Sequence, residues 1–174
     1  MSWMVQKTNW LGLALRIKNG ATYAFLLLLL AAPVTVMGSK WNSNGLLQVS
    51  KGITVLVVLL ELAIAATGTW LTYRVRRYWA WLRRRDASDP HVQQLRGSLR
   101  KAVSLACSTW LLAVSTVCLP LIMDMVARLP ELGLLFVPFI LLLGMQWFNT
   151  RTYSELAMTV ATDTYMPANT VSGV

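Results

Sequence analysis

The sequence predicts an all-α integral membrane protein with four transmembrane helices. Hydrophobic residues make up 56% of the 174 residues and charged residues only 13%, a balance that excludes a disordered chain and disfavours an ordinary soluble domain. The mean hydropathy is +0.53, and the apolar residues fall in runs close to the ~20 residues that a helix needs to cross a bilayer. We therefore expect residues 1–174 to form a single membrane domain.

The predicted spans are uncharged except at one position, Glu61. Their bounds are 21–38, 52–73, 102–123 and 132–149. Small residues near the end of the first run are of the kind that flank signal-peptide cleavage sites, but about twenty residues precede that run, which is long for a signal sequence and favours a span. Three prolines lie within or near the ends of spans, where each can kink its helix: Pro33, Pro120 and Pro138.

The distribution of basic residues predicts the orientation in the membrane. With the N-terminus in the cytoplasm, the cytoplasmic segments contain 13 of the 16 lysines and arginines, and the opposite side contains only Lys40, Lys51 and Arg128. Because cytoplasmic segments are enriched in Lys and Arg, we expect both termini and the central loop to be cytoplasmic. The same bias favours the bacterial inner membrane.

The segment between the second and third spans is predicted to form a basic helical hairpin. Residues 74–85 contain no helix breaker and continue the second span, whereas Asp89 can cap a new helix with Pro90 at its first position. Residues 90–101 then lead into the third span. Each arm has 12 residues, so at 1.5 Å per residue the hairpin projects about 18 Å beyond the membrane.

Residues 1–19 are predicted to form an amphipathic helix in the membrane interface. Four of its residues share one helical face, an arrangement typical of interfacial helices. They are Trp3, Trp10, Ala14 and Ile17. Trp147, at the end of the fourth span, is expected at the cytoplasmic interface, where tryptophan is enriched. Residues 150–174 lose apolar density and are expected to form a cytoplasmic tail that begins with a short helix.

Glu61 is the strongest single candidate for a functional residue. It is the tenth residue of a 22-residue span, and an ionisable group near the bilayer midplane indicates function by default because it costs several kcal/mol. No span contains a cation that could pair with it, so we expect the neutral form to donate a hydrogen bond. The candidate partners are on the third span: Ser108, Thr109, Ser115 and Thr116. The interpretations left open are a proton or ion carrier, a subunit contact and a packing residue.

Two stripes of small and hydroxyl residues are predicted to mediate helix packing, because such residues let membrane helices approach closely. The stripe on the second span contains Thr54, Glu61, Ala65, Gly68 and Thr72. The stripe on the third span contains Ser104, Ser108, Ser115 and Cys118. We expect the stripes to face each other, with a partner protein as the alternative for either one.

Nine of the 16 basic residues belong to the hairpin and are candidates for lipid or partner binding. They are Arg74, Arg76, Arg77, Arg83, Arg84, Arg85, Arg96, Arg100 and Lys101. Anionic headgroups attract such residues by roughly 1 kcal/mol each, and an acidic protein surface would attract them in the same way. Nucleic acid is the less favoured partner because the segment is adjacent to the membrane.

The sequence contains no arrangement typical of catalysis. Two cysteines and one histidine are too few for a metal cluster, and there is no Gly-rich phosphate loop. The single histidine, His91, lies in the predicted turn of the hairpin, which disfavours a Ser-His-acid triad. Cys107 and Cys118 are three helical turns apart, about 16 Å, and cannot pair. We therefore expect no metal, no cofactor, no small-molecule substrate and no enzymatic activity.

These features predict a non-catalytic subunit or scaffold of a larger membrane assembly, with bacterial secretion and conjugation machines as examples. The expected partners are membrane lipids, including anionic headgroups, and other membrane subunits in a hetero- or homo-oligomer. Two alternatives stay open. One is a small proton- or cation-conducting transporter or channel that uses Glu61, and the other is an immunity or exclusion protein that recognises another membrane protein.

Overall fold

The computed structural model describes residues 10–85 and 90–165, and this part of the chain is helical. Its six α-helices are α1 (Trp10–Lys40), α2 (Asn44–Arg85), α3 (Pro90–Thr116), α4 (Leu119–Arg128), α5 (Phe136–Asn149) and α6 (Arg151–Tyr165), with a 3₁₀ helix over Pro130–Leu135. Four stretches are long and apolar enough to span a membrane: Trp10–Lys40, Asn44–Arg84, Val92–Arg128 and Pro130–Val160. The prediction of an all-α chain with four candidate membrane spans is confirmed for the described residues.

Helix α1 is the centre of the bundle. It packs against α2, α4, α5 and α6, while α3 packs against α2 and α6. The tight turn between α1 and α2 contains Asn42 with a φ of 50°, a left-handed conformation that asparagine tolerates. The backbone N–H of Ser43 donates to the carbonyl of Gly38 across this turn, so the two helices are held antiparallel.

Two of the spans are interrupted, and the first interruption follows from Pro120. This residue has no N–H to donate to the carbonyl of Thr116, and its ring is incompatible with a continuous helix. Helix α3 therefore ends at Thr116, and α4 begins at Leu119. In the fourth span the break is milder, because the N–H of Thr150 still donates to the carbonyl of Gln146 between α5 and α6.

Helices α2 and α3 pack side by side as an antiparallel pair. Helix α2 has 42 residues and α3 has 27, so α2 measures about 63 Å at 1.5 Å per residue, twice the ~30 Å of a hydrocarbon core. We call the end of the bundle with Arg85 and Pro90 the hairpin end. The end with the α1–α2 turn is the turn end.

The buried apolar residues form two clusters, one toward each end. The hairpin-end cluster includes Ile17, Ile64, Leu95 and Leu156. The turn-end cluster includes Leu28, Val57, Leu112, Met123 and Leu143. Along the helices, four buried polar residues lie between the two clusters: Glu61, Thr109, Gln146 and Thr150. We call these four residues the polar layer.

The outer surface is rich in large apolar side chains. Leu30, Leu111, Leu141 and Phe148 are among those with more than half of their surface exposed. A contiguous exposed apolar surface of this kind marks contact with protein or membrane. Its distribution over several helices matches the expectation for lipid-facing positions.

The prediction of a separate interfacial helix at residues 1–19 is wrong over its described part. Residues 10–19 are the first turns of α1, and the side chains of Trp10 and Ile17 are buried in the hairpin-end cluster. Their apolar face packs within the bundle rather than against lipid headgroups. Trp3 lies outside the described residues.

The expectation of a peripheral tail after the fourth span also needs correction. Helix α6 packs against α1 and α3, and its apolar face is buried. Tyr153, Leu156, Ala157 and Val160 recur at helical spacing and belong to the hairpin-end cluster. This helix supplies the apolar surface that covers Trp10 and Ile17.

Candidate functional site

Glu61 and Gln146 form a buried polar pair in the middle of the bundle. Glu61 on α2 is 0% exposed and Gln146 on α5 is 5% exposed. Gln146 lies beside the carboxyl group of Glu61, but no hydrogen bond joins the two side chains. Within the described residues, both carboxyl oxygens of Glu61 and both amide heteroatoms of Gln146 lack a hydrogen-bond partner. Buried polar atoms are bonded in most proteins, so this pair is exceptional.

None of the predicted partners on α3 donates a hydrogen bond to Glu61. Thr109 and Thr116 are buried, but their hydroxyls donate to backbone carbonyls of their own helix, each at 2.7 Å. Ser108 and Ser115 bond in the same way, at 2.9 and 2.8 Å, and point away from the core. Because each of these hydroxyls already donates to a carbonyl of its own helix, none of them requires the carboxyl group of Glu61 as an acceptor.

The sequence-based prediction did not include Gln146, although the sequence contains a feature that could have identified it. It is the one side-chain amide of the fourth span before Asn149. A polar residue inside an apolar span usually faces the protein interior, which is where the structure places Gln146. Its proximity to Glu61 depends on how α5 packs, and no local pattern specifies that.

The stripe predicted on α2 is buried throughout. Thr54, Ala65 and Thr72 face the bundle interior, and the hydroxyl of Thr54 contacts the sulfur of Met123 on α4. Gly68 faces α6 rather than α3, because a Cβ atom placed on it would lie 2.7 Å from the hydroxyl oxygen of Tyr153. The absent side chain of Gly68 therefore allows Tyr153 to pack directly on the α2 backbone.

The stripe predicted on α3 faces outward. Ser104, Ser108 and Cys118 are exposed and Ser115 is half-buried, whereas α3 packs inward through Ala102, Leu105, Thr109, Leu112, Ala113 and Thr116. The expectation that the two stripes meet inside the hairpin is therefore wrong. We call the surface formed by Ser104, Ser108 and Ser115 the outer face of α3; Cys118 lies just beyond it, between α3 and α4.

Aromatic side chains one turn earlier on α2 orient three of the predicted arginines. The guanidinium carbon of Arg74 lies 4.9 Å from the ring centroid of Trp70, that of Arg77 lies 5.7 Å from Tyr73, and that of Arg83 lies 5.5 Å from Trp79. Each pair is spaced i to i+4, so the two side chains stand on one helical face. Cation–π contacts of this kind contribute about 0.5–1 kcal/mol at exposed sites.

The two arms of the hairpin are joined by Trp79 and enclose a groove. The indole N–H of Trp79 donates to the carbonyl of Val92 at 3.2 Å. Beside this contact lies an open groove of about 830 Å³, to which four arginines contribute. They are Arg76 and Arg83 from α2, and Arg96 and Arg100 from α3. We call this feature the arginine groove.

No described carboxylate neutralises the arginine groove. The salt bridge found in the described ranges joins Lys51 to Asp124, at 2.7 Å and near the turn end. Asp86 and Asp89, in the turn of the hairpin, lie outside these ranges, as does the side chain of Arg85. The four remaining predicted basic residues do not line the groove: Arg77, Arg84 and Lys101 are exposed, and Arg74 is half-buried.

Trp147 contacts α1 through both its ring and its N–H group. The ring stacks on Phe25 with centroids 6.2 Å apart, and its N–H donates to the hydroxyl of Thr22 at 2.9 Å. Because 43% of its surface stays exposed, the side chain also has room to contact lipid.

Side chains of the types that bind metals are not clustered in the described part of the chain. No group of three or more His, Cys, Asp or Glu side chains is placed there to hold a metal ion. Cys107 on α3 and Cys118, between α3 and α4, are free and exposed thiols.

Comparisons with known proteins add no family to this picture. No family model matches the chain, and neither the curated proteins nor the solved structures include a match.

Proposed function

We propose that the protein is a non-catalytic integral membrane subunit or scaffold of a larger membrane protein assembly. The observation that best supports the proposal is that the small and hydroxyl side chains on the outer face of α3 point away from the bundle. Small side chains on a membrane helix allow a second helix to approach closely. Facing lipid, the same side chains bring no such benefit.

The spacing of this face fits a helical partner. Ser104, Ser108 and Ser115 recur at intervals of four and seven residues, which keeps them on one side of α3 over about three turns. The basic hairpin offers the assembly a second contact, outside the hydrocarbon, for an acidic protein surface or anionic lipid. Bacterial secretion and conjugation machines are assemblies in which such a subunit would fit.

Site-specific photo-crosslinking tests this proposal. A photoreactive amino acid in place of Ser108 is expected to give an adduct of defined mass in native membranes, whereas the same residue in place of Leu141, an exposed position on α5, is expected to give none. Mild-detergent purification of the tagged chain, followed by native mass spectrometry, should recover the same partner in fixed ratio. A monomer with no adduct at either position would overturn the proposal.

The proposed orientation places both termini and the hairpin in the cytoplasm and the α1–α2 turn on the opposite side, in a bacterial inner membrane. Its support is the excess of Lys and Arg on the hairpin side. In a chain without native cysteines, Asn44→Cys should react with an impermeant maleimide in intact spheroplasts. Gln94→Cys, in the hairpin, should react only after permeabilisation. The reverse pattern would invert the topology.

A second candidate function, proton or cation transport, is favoured by the pair of Glu61 and Gln146. Its four polar atoms are buried and lack partners within the described residues, as expected of a transient proton or ion site. Four helices with one acid barely enclose a pathway, so this function would require a homo-oligomer. Flux into liposomes that Glu61→Gln abolishes would support it, and unchanged flux would remove its main support.

An immunity or exclusion function differs from the subunit function only in the partner. The same outer face of α3 would then contact an incoming membrane protein rather than a stable neighbour. Photo-crosslinking with and without that protein distinguishes the two, because a stable neighbour gives the adduct under both conditions.

A further inference from the structure

We infer that the arginine groove binds an anion that carries two or more phosphate groups. Four arginines from two helices line it, and none of the four has a carboxylate partner among the described residues. A guanidinium group presents N–H donors in a planar fork that matches the oxygens of phosphate. Positive charges that line one groove repel each other, so a bound polyanion would relieve that repulsion and stabilise the hairpin.

The depth of the groove suits a ligand at the membrane surface. Counted from the predicted span ends at residues 73 and 102, Arg100 and Arg76 lie about 3 and 4.5 Å beyond the hydrocarbon, while Arg96 and Arg83 lie about 9 and 15 Å beyond it. The headgroup layer occupies roughly 5–8 Å on each side of a bilayer. The inner two arginines are therefore at the level of lipid phosphates, and the outer two reach a second phosphate farther from the membrane.

The walls of the groove are held in place before a ligand binds. The indole of Trp79 is fixed by its hydrogen bond to the carbonyl of Val92, and the same ring orients Arg83. On the opposite wall, Gly97 lies beside Arg96, and a Cβ atom placed on it would meet no atom within 4 Å. The groove is open at this point because the residue has no side chain.

Two sources supply this chemistry. One is a lipid with a diphosphate headgroup, which would enter sideways from the bilayer. The other is a soluble polyphosphate, which would enter from the aqueous side. Both present two linked phosphate groups to the four arginines, whereas a lipid with a single phosphodiester presents only one.

Binding to the full-length protein in uncharged detergent tests the inference. The probes are inorganic pyrophosphate, followed by calorimetry, and farnesyl diphosphate and phosphatidylglycerol, followed by native mass spectrometry. We expect farnesyl diphosphate to bind more tightly than phosphatidylglycerol. Pyrophosphate binding of similar strength would identify a soluble ligand, and its absence would identify a lipid.

Two pairs of substitutions distinguish binding at a specific site from nonspecific attraction by the positive charge of the hairpin. Arg96→Gln with Arg100→Gln removes two charges inside the groove, and Arg77→Gln with Arg84→Gln removes two from the same hairpin outside it. We expect the first pair to weaken diphosphate binding roughly tenfold or more and the second to change it about twofold or less, because charge-assisted hydrogen bonds need contact, whereas distant exposed charges are screened.

Gly97→Leu is a third variant that changes no charge. Leucine also favours a helix more than glycine does, so the arm should stay folded, and its side chain would fill the groove. Loss of diphosphate binding in this variant supports the inference. Equal losses in the two charge pairs, full binding by Gly97→Leu or no diphosphate binding by the unmodified protein would each overturn it.

Discussion

Replacing Gly68 with leucine is expected to separate α6 from α2 and to cause a large loss of thermal stability. The alanine variant already places a Cβ atom 2.7 Å from the hydroxyl oxygen and 3.0 Å from the Cζ atom of Tyr153. Tyr153 is only 1% exposed and has little room to move. Overpacking of this kind typically costs about 1–3 kcal/mol, and leucine adds three more carbon atoms to the same contact.

A double-mutant cycle with Tyr153→Phe identifies the contact responsible. The Tyr153 hydroxyl lacks a hydrogen-bond partner within the described residues, so phenylalanine alone should leave the melting temperature unchanged or raise it slightly. In that background Gly68→Ala should cost less than in the unmodified chain, because the nearest atom has gone. Coupling of this kind between neighbouring residues is what such cycles measure.

The matched control for this series is Gly52→Ala on the same helix. A Cβ atom on Gly52 would meet no atom within 4 Å, so the substitution should be neutral or stabilising. Melting temperatures are measured by fluorescence-detected size exclusion of detergent-solubilised protein. If Gly68→Ala and Gly52→Ala behaved alike, Tyr153 of α6 would not pack on Gly68 as described.

The four spans could be predicted from the sequence because the bilayer imposes a length and a polarity that no tertiary contact alters. In contrast, the sequence does not allow a prediction of which face of a span is buried. On α3, Ala102, Thr109 and Thr116 recur at the same helical period as Ser104, Ser108 and Ser115. Two small-residue faces are therefore available, and hydropathy does not indicate which of them packs inside the chain.

The surface against which the N-terminal apolar face packs could not be predicted, for a similar reason. Trp10, Ala14 and Ile17 need an apolar environment, and lipid or another helix satisfies that need equally. The structure provides α6, whose face of Tyr153, Leu156 and Val160 lies more than 130 residues away in sequence. Because the pairing is distant, periodicity predicts each face but not that the two faces meet.

The candidate sites divide in the same way. Glu61 could be identified from the sequence because a lone acid in an apolar span is conspicuous, but its neighbour Gln146 comes from another helix. The basic residues of the hairpin were evident as a group. Their division into an arginine groove and an outer set depends on the antiparallel pairing of Trp79 with Val92, which local sequence does not specify.

Glu61→Lys is expected to be the most damaging single substitution in the chain. It would place a cation, in a side chain that is fully buried, between the two apolar clusters. No described residue near it offers a charge to compensate, and an unpaired buried charge costs about 3–5 kcal/mol. At roughly 2–4 °C per kcal/mol for a chain of this size, we expect the melting temperature to fall by about 10 °C or more, or the protein to be degraded.

Glu61→Gln is the matched variant, because it keeps the shape and removes the ionisable group. Glutamine can pair its amide with that of Gln146, so we expect a melting temperature equal to or above that of the unmodified protein. The comparison with Glu61→Lys separates charge from size, since both replacements are long side chains. A Gln variant as unstable as the Lys variant would show that the carboxyl group itself holds the bundle together.

The double variant Glu61→Leu with Gln146→Leu decides whether the pair serves stability at all. It replaces four polar atoms that lack partners in the described residues with apolar groups of similar volume, and removing both members of an unsatisfied pair is often neutral or stabilising. We expect the double variant to melt at or above the temperature of the unmodified protein. Either single leucine variant should melt lower, because it leaves the other polar side chain buried alone.

If the double variant is more stable and yet inactive in its assembly or in flux, the pair is retained for function at the expense of stability. If it is the least stable of the three, Glu61 and Gln146 are bonded in the membrane, and the polar layer is a structural element of the bundle.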